Sequence, residues 1–295
     1  MFNDPGNARC FGSHHRWTFL YIRQDHPFRT MLDKDILCAT DLTPTSDHAV
    51  RAAVLLAGRI NAQITMLHVL MKQERSSEGK DQVLETMRAQ AAKADGTGRI
   101  AFKLLEGDFM KRIAEETAND HSLMVLGTHG PRGLRQSLFG ADILKLVRSS
   151  AIPSLVVQDG TDTEHLLERI VLPVAAHADI DRLLDLVCAL AKAFASEVHL
   201  YQLMRPMEQP SDELLANKLK MLERMRQEGI RYVEVNEPST AFSIGFAEPT
   251  IRYAQRIGAG CIAIMSRASD EYRYIADAEK ERLLANDASI PVLCI

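Results

Sequence analysis

The chain has 295 residues, of which 46% are hydrophobic and 25% charged, and its formal net charge is −4. This length favours two domains over one, and the acidic balance excludes a broad basic surface for nucleic acid or anionic lipid. No apolar run reaches the roughly 18 residues that span a bilayer, so no membrane partner is expected.

Residues 1–30 are predicted to be an irregular N-terminal extension. The segment shows neither helical nor strand periodicity, although it holds the only tryptophan, Trp17. It lacks the apolar core of a secretory signal. Met31 stands just before the first strong strand pattern, so two interpretations stay open: a poorly ordered extension, or a start assigned too early.

From residue 35 onward, short apolar runs alternate with helical patterns. Strands are predicted at 35–39, 63–69, 99–105, 123–126 and 154–157. Helices are predicted after Ser46, which would cap the first of them, and at 81–94, 108–119 and 140–150. Such alternation indicates βαβ units with a mostly parallel sheet, whose ligands bind beyond the carboxyl ends of the strands where the strand order reverses.

The pattern restarts after a short polar linker at 160–165. Residues 169–174 mirror 35–40 at an offset of 134, and residues 289–295 mirror 151–157 at an offset of 138. A repeat of about 130 residues is too long for a solenoid and fits a duplicated domain. The sequence therefore predicts two tandem Rossmann-like α/β domains with five-stranded parallel sheets, at 31–159 and 166–295.

A glycine-rich loop follows the fourth predicted strand and opens the last helix of the first domain. It runs GTHGPRGLRQSLFG from Gly127 to Gly140. Glycine N–H groups in front of a helix N-terminus favour an anion such as phosphate. No Lys-Ser/Thr pair follows Gly140, so this is not a Walker loop. Spacing alone leaves open a plain strand–helix connection.

These residues resemble a universal stress protein domain. The family's pattern is Gly, two residues, Gly, nine residues, Gly, then Ser or Thr, and Gly127, Gly130 and Gly140 have that spacing. Residues 35–53 (DILCATDLTPTSDHAVRAA) resemble the family's first strand and helix, with its Asp at Asp41. The resemblance covers 35–158 well and 169–295 more weakly.

The resemblance implies an adenine nucleotide alpha hydrolase-like fold and a site for ATP or a related adenine nucleotide, for which Mg²⁺ is a candidate companion ion. Asp41 would lie by the ribose, Val69 would meet the adenine edge through its backbone, and the glycines and helix N–H groups would hold the phosphates. The residues so assigned are Ala39, Asp41, Val69, Gly127, Gly130, Gly140, Ala141 and Asp142.

Two positions depart from the family pattern. Ala141 stands where the family has Ser or Thr, and a lost hydrogen bond to a charged group costs about 1.5–3 kcal/mol. Asp142 would repel a triphosphate unless Mg²⁺ bridges the two, and we favour the repulsion. Arg132 and Arg135 would offset it, or they form a solvated basic loop.

The second copy has lost every position of this motif. At the offset of 138, Gly127 becomes Met265, Gly130 becomes Ala268, Gly140 becomes Ala278 and Ala141 becomes Glu279; at the offset of 134, Asp41 becomes Ala175. Met265 and Glu279 are expected to oppose phosphate by size and charge. We therefore predict that the second domain serves packing, pairing or another ligand.

Several single residues have a structural alternative. Asp41 sits in a strand-to-helix turn, where Asp commonly bonds local backbone. His68 ends an apolar strand and is interpreted as a satisfied core histidine. The five scattered cysteines, four of them in apolar segments, indicate reduced core thiols and a cytoplasmic protein.

The leading functional hypothesis is a universal stress protein that binds ATP or a related adenine nucleotide in domain 1 and acts as a stress-response sensor or regulator. No catalytic triad or metal cluster is apparent in the sequence, so at most slow ATP hydrolysis is expected. The alternative is an adaptor that binds no nucleotide and acts through protein contacts. Family resemblance further implies domain pairing through residues 154–157 and 292–295, within one chain or in a homodimer.

Overall fold

The computed structural model describes residues 31–94, 98–128, 140–205, 209–239, 245–267 and 273–295. The predicted extension at 1–30, with Trp17, lies outside these ranges. So do Gly130, Arg132, Arg135 and Ala268, and the predictions made for them stay predictions.

Ten strands form a single sheet. The strands are β1 Asp35–Ala39, β2 Ile64–Leu70, β3 Ile100–Glu106, β4 His121–Thr128, β5 Ser154–Gln158, β6 Arg169–Pro173, β7 Glu197–Met204, β8 Arg231–Pro238, β9 Cys261–Ile264 and β10 Val292–Cys294. The helices are α1 Pro44–Ile60, α2 Ser77–Lys93, α3 Phe109–Glu116, α4 Gly140–Ser149, α5 Asp181–Phe194, α6 Asp212–Gln227, α7 Ala247–Arg256 and α8 Arg273–Leu284, with a 3₁₀ turn at Lys72–Glu74.

The order of the strands shows the duplication directly. It reads β3-β2-β1-β4-β5-β10-β9-β6-β7-β8, so each half has the same arrangement around its first strand. We call β1–β5 with α1–α4 the first unit, and β6–β10 with α5–α8 the second unit. All pairings within each unit are parallel. The predicted fold class, two tandem Rossmann-like units with five-stranded sheets, is confirmed.

Strand β1 explains why the sheet is covered on both faces. Its central residues are completely buried, and successive side chains enter different hydrophobic clusters: Ile36 and Cys38 on one face, Leu37 on the other. A parallel strand buried on both faces reads as a continuous apolar run instead of an alternating one. Helix α1 covers one face with a stripe of small residues, Ala49, Ala52, Ala53 and Ala57.

The two units meet at an antiparallel strand pair. Val292 faces Val156, and Cys294 faces Ser154. This intramolecular pairing of the last strands is the one that the sequence predicted, and it is confirmed. Beside the strands, both guanidinium ends of Arg148 in α4 bond the carboxylate of Asp277 in α8.

One local prediction was wrong. Ser46 does not cap α1, because the helix begins two residues earlier at Pro44, with Thr43 at the N-cap position. In α6, the buried face is formed by Asn217, Met221 and Met225, whereas Leu215 and Leu219 are exposed.

The four described cysteines are Cys38, Cys188, Cys261 and Cys294, and all are buried and free. Burial raises the pKa of the Cys38, Cys188 and Cys261 thiols to about 12. The prediction of unpaired core thiols is confirmed for these four, and at neutral pH they stay protonated and unreactive.

Candidate functional site

The candidate site of the first unit lies where the strand order reverses. Strand β1 has β2 on one side and β4 on the other, so the connections leaving β1 and β4 diverge and open a crevice at their carboxyl ends. Ala39 is in register with Leu67 of β2 and Leu126 of β4. Asp41, Val69 and Gly127 therefore end up at one edge of the sheet, as predicted.

Asp41 is exposed, and its carboxylate is held in place by its own turn. Its Oδ1 accepts the backbone N–H of Thr43 at 3.0 Å, the Thr43 hydroxyl at 2.6 Å and the Ser46 hydroxyl. Leu42 takes the left-handed conformation with φ 64°, which is uncommon for a residue with a side chain. The local bonding considered as an alternative for Asp41 is thus present, and it fixes an acceptor at the mouth of the crevice.

A buried amide braces this turn from the neighbouring helix. Gln90 of α2 accepts the Thr40 hydroxyl at 2.7 Å, and its amide nitrogen donates to Asp47 Oδ1 at 2.6 Å and to the Thr43 carbonyl. Gln90 was not predicted from the sequence. The signal was present, because Gln90 falls on the buried stripe of α2, where a polar side chain must have partners.

His68 is a satisfied core histidine, as predicted. Its Nδ1 lies 2.9 Å from the Thr40 carbonyl oxygen, and its Nε2 lies 3.1 Å from Glu74 Oε2. Both ring nitrogens are engaged, so His68 carries no role toward a ligand.

Only part of the glycine loop falls in the described ranges. Gly127 lies at the end of β4, and a Cβ there would lie 3.4 Å from Ser46 Cα and 3.5 Å from the Thr45 carbonyl oxygen. The glycine therefore lets β4 pack closely on the start of α1. Gly140 is the first residue of α4, and Asp142 lies in its first turn, half-exposed, 3.5 Å from Lys145 Nζ.

In the second unit, the residue equivalent to Gly140 is Ala278, and helix α8 begins at Arg273 and runs through it. The backbone N–H of Ala278 is therefore engaged within the helix.

Glu279 has a structural role that was not predicted from the sequence. Its carboxylate accepts the backbone N–H of Ala247 at 2.7 Å, at the start of α7. A carboxylate at a helix N-terminus is stabilising, so Glu279 is a structural cap for α7.

A cavity of about 270 Å³ lies at the carboxyl ends of β6 and β7, in the place that corresponds to the crevice of the first unit. Ala175 and Met265, the counterparts of Asp41 and Gly127, both line it. Its polar residues, above all His177 and Lys280, were not predicted from the sequence. Lys280 could have been found by extending the repeat comparison by one residue, since it is the counterpart of Asp142 at the offset of 138.

His177 gives the second unit a predicted sensitivity to acid. Burial, with the Lys280 charge nearby, lowers the pKa of His177 from 6.5 to about 4. The unfolded chain then takes up the proton first, so stability from neutral His177 is full above pH 6.5 and is lost as the pH falls toward 4. After allowance for partial exposure, we expect a loss of about 1–2 kcal/mol.

Denaturant unfolding of the native chain and of His177→Gln between about pH 4 and 7 measures this loss. The difference in free energy of unfolding between the two should change with pH, whereas His165→Gln, at an exposed histidine of the linker, should follow the native chain. The prediction is contradicted if the free energies of unfolding of the native chain and of His177→Gln change with pH in the same way.

In the described ranges, no group of three or more His, Cys, Asp or Glu side chains is placed to hold a metal ion. None of the helices in the same ranges is long and apolar enough to cross a membrane.

Comparison with known proteins places the first unit in a family. The model of the Universal stress protein family matches residues 34–158. A search of curated proteins found no match.

Solved structures resemble the chain over nearly its whole length. A universal stress protein from Archaeoglobus fulgidus DSM 4304 is 15% identical, with 90% of this chain and 96% of that chain covered at a TM-score of 0.65. A putative universal stress protein from Pseudomonas aeruginosa UCBPP-PA14 is 17% identical, with 92% and 95% covered at 0.57. A protein of unknown function from Pseudomonas aeruginosa PAO1 is 18% identical, with 91% and 94% covered at 0.56.

The solved structures support the fold of both units, whereas the family match covers the first unit alone. The match begins before β1 and ends with β5, so it spans all five strands and the crevice of that unit. Residues 34–158 therefore form a domain of the universal stress protein family.

Proposed function

We propose that the first unit binds ATP or a related adenine nucleotide and that the protein acts as a stress-response sensor or regulator. The observation that carries the proposal is the position of Asp41 and Gly127 on either side of the point where the strand order reverses, in a domain of a family whose members include ATP-binding proteins. Val69 lies at the end of the neighbouring strand, where its backbone would meet the adenine.

The start of α4 would supply the phosphate contacts. Helix N-termini attract anions through unpaired N–H groups and the helix dipole, and Gly140, Ala141 and Asp142 are the first residues of α4. Repulsion of the phosphates by Asp142 is not offset by a neighbouring hydroxyl, because position 141 is alanine. The proposed affinity is accordingly modest, with Lys145 partly neutralising Asp142.

We propose no catalytic role for this site, and at most slow ATP hydrolysis. We also propose a cytoplasmic location, which the four buried free thiols support, since reduced cysteines are typical of that compartment. The competing function is an adaptor that binds no nucleotide, which Ala141 and Asp142 favour.

Titration calorimetry of the whole protein with ATP, with and without Mg²⁺, tests the proposal. We expect binding, and we expect Asp142→Ala to tighten it by about threefold to tenfold, because removal of one partly screened charge beside a triphosphate is worth about 1 kcal/mol. Loss of binding in Asp142→Ala in the presence of Mg²⁺ would instead indicate a metal bridge.

A matched pair of variants separates the two units. Gly127→Val should abolish ATP binding, while Met265→Val, at the equivalent position of the second unit, should leave it unchanged. Circular dichroism checks that both variants fold. If the native chain gives no heat of binding at millimolar ATP, the competing function, an adaptor that binds no nucleotide, is favoured.

A further inference from the structure

The charged side chains that line the cavity of the second unit, among the described residues, are the basic ones of Arg205 and Lys280. His177 also lines it but is neutral at neutral pH, because burial lowers its pKa to about 4. Much of the remainder is apolar, including Met221 and Phe246. A pocket of this kind favours an apolar molecule that carries a negative charge.

Lys280 lacks a counter-ion among the described residues. Its side chain is 3% exposed, and its Nζ donates to the carbonyl oxygens of Ser266 and Arg267. The carboxylate of Asp277, which lies nearby, forms an ion pair with Arg148. In the described part of the chain no carboxylate pairs with Lys280, and a buried ammonium without a paired anion is costly.

The size of the cavity sets the size of its ligand. A cavity of about 150 Å³ accepts benzene, which has about six heavy atoms. By the same ratio, 270 Å³ accommodates about ten to twelve heavy atoms. A nucleoside triphosphate is more than twice that size, and the outward-facing helix N–H groups that would bind its phosphates are absent from the described part of α8 at Ala278.

We propose that the second unit binds a small amphipathic monoanion, with an apolar body in the cavity and a carboxylate or similar head group against Lys280. The site lies in the place of the lost nucleotide site but selects a different chemical class. The replacement of Asp142 by Lys280 between the copies reverses the charge at equivalent positions, which is the change that such a ligand requires.

Calorimetry of the full chain with octanoate and phenylacetate, each compared with its neutral amide, tests this proposal. Because a charge-assisted hydrogen bond is stronger than a neutral one, the acids should bind about ten- to a hundredfold more tightly than the amides. Lys280→Met should remove that preference and leave amide binding within about threefold. Lys220→Met, at an exposed lysine of α6, should change neither.

A second variant tests the cavity apart from the charge. Ala276→Leu enlarges a side chain of the lining, so it should weaken acids and amides alike. ATP at saturating concentration should not displace the acids, which keeps this proposal separate from nucleotide binding in the first unit. The proposal is overturned if the acids and the amides bind with equal affinity, or if Lys280→Met keeps the preference for the acids. It is also overturned if no probe gives heat at about 10 mM ligand.

Discussion

Gly260→Ala should lower the free energy of unfolding by about 3–5 kcal/mol. Gly260 directly precedes β9, where the connection between the two units passes over it. An added Cβ would lie 2.0 Å from the His165 carbonyl oxygen and 2.8 Å from the Leu167 backbone nitrogen. Both obstacles are backbone atoms, so no side-chain rotation relieves the clash.

The connection cannot move away without further loss. Leu166 and Leu167 are both buried, and Leu167 holds a positive φ of 63°. The Gly260 N–H also donates to the Arg169 carbonyl at 3.0 Å. Shifting the chain to admit a methyl group would expose the leucines or break this bond, and either change is unfavourable.

Urea denaturation of Gly260→Ala beside Gly58→Ala tests the expected loss. Nothing lies within 4 Å of a Cβ at Gly58, and its place in α1 means that alanine there should stabilise by about 0.5–1 kcal/mol. The two identical replacements are thus expected to act in opposite directions. An ordinary substitution changes the free energy of unfolding by about 1 kcal/mol. If Gly260→Ala changes it by no more than that, the connection between the units can move aside to admit the methyl group.

The sheet is well predicted from the sequence because its strands are buried on both faces. The apolar runs at 35–39 and 63–69 need no long-range information to be recognised, and an adjacent repeat supplies a second example of each. The edges of elements are less predictable, because their positions depend on tertiary contacts. Ser46 looks like a helix cap until Asp41 accepts its hydroxyl.

Site residues could be predicted when their place is set by their position along a strand. They could not be predicted when their role depends on contacts with residues that are distant in the sequence. Asp41 and Gly127 lie at the ends of strands that the sequence locates. Gln90 and Lys280 function through contacts with residues 50 and 14 positions away, respectively, and no local pattern reports such contacts. The charge reversal at Lys280 was nevertheless visible between the two copies.

The two copies differ in the chemistry of the equivalent crevice. In the second unit, α8 runs through Ala278, so the backbone N–H of that residue is engaged within the helix. Met265, the counterpart of Gly127, lines the cavity. The remaining cavity is largely apolar, with a buried cation at Lys280.

Lys280→Met should raise the free energy of unfolding by about 1–2 kcal/mol at neutral pH. Burial, with Arg148 nearby, lowers the pKa of Lys280 from 10.5 to about 8, and each unit of such a shift corresponds to about 1.4 kcal/mol. The hydrogen bonds to the carbonyls of Ser266 and Arg267 are lost in the variant and offset part of the gain.

The pH dependence identifies the cause. Because the folded pKa is the lower one, the unfolded chain binds more protons between pH 8 and 10.5, so the cost of Lys280 is full below pH 8 and disappears as the pH approaches 10.5. The charged or titratable groups around it are Arg148 of α4, Asp277 of α8, Cys294 of β10 and His177 after β6. None of them is removed in the variant.

Thermal and urea unfolding of Lys280→Met, with Lys220→Met as the surface control, measures the difference across this pH range. A gain at neutral pH that shrinks above pH 8 is expected for Lys280→Met alone. A variant less stable than the native chain at neutral pH would mean that the two carbonyl contacts outweigh the burial of the charge. If Lys280→Met is more stable than the native chain and also loses its preference for the acids, the Lys280 ammonium lowers the stability of the fold and contributes to ligand binding. Such a trade between stability and function is common in binding sites.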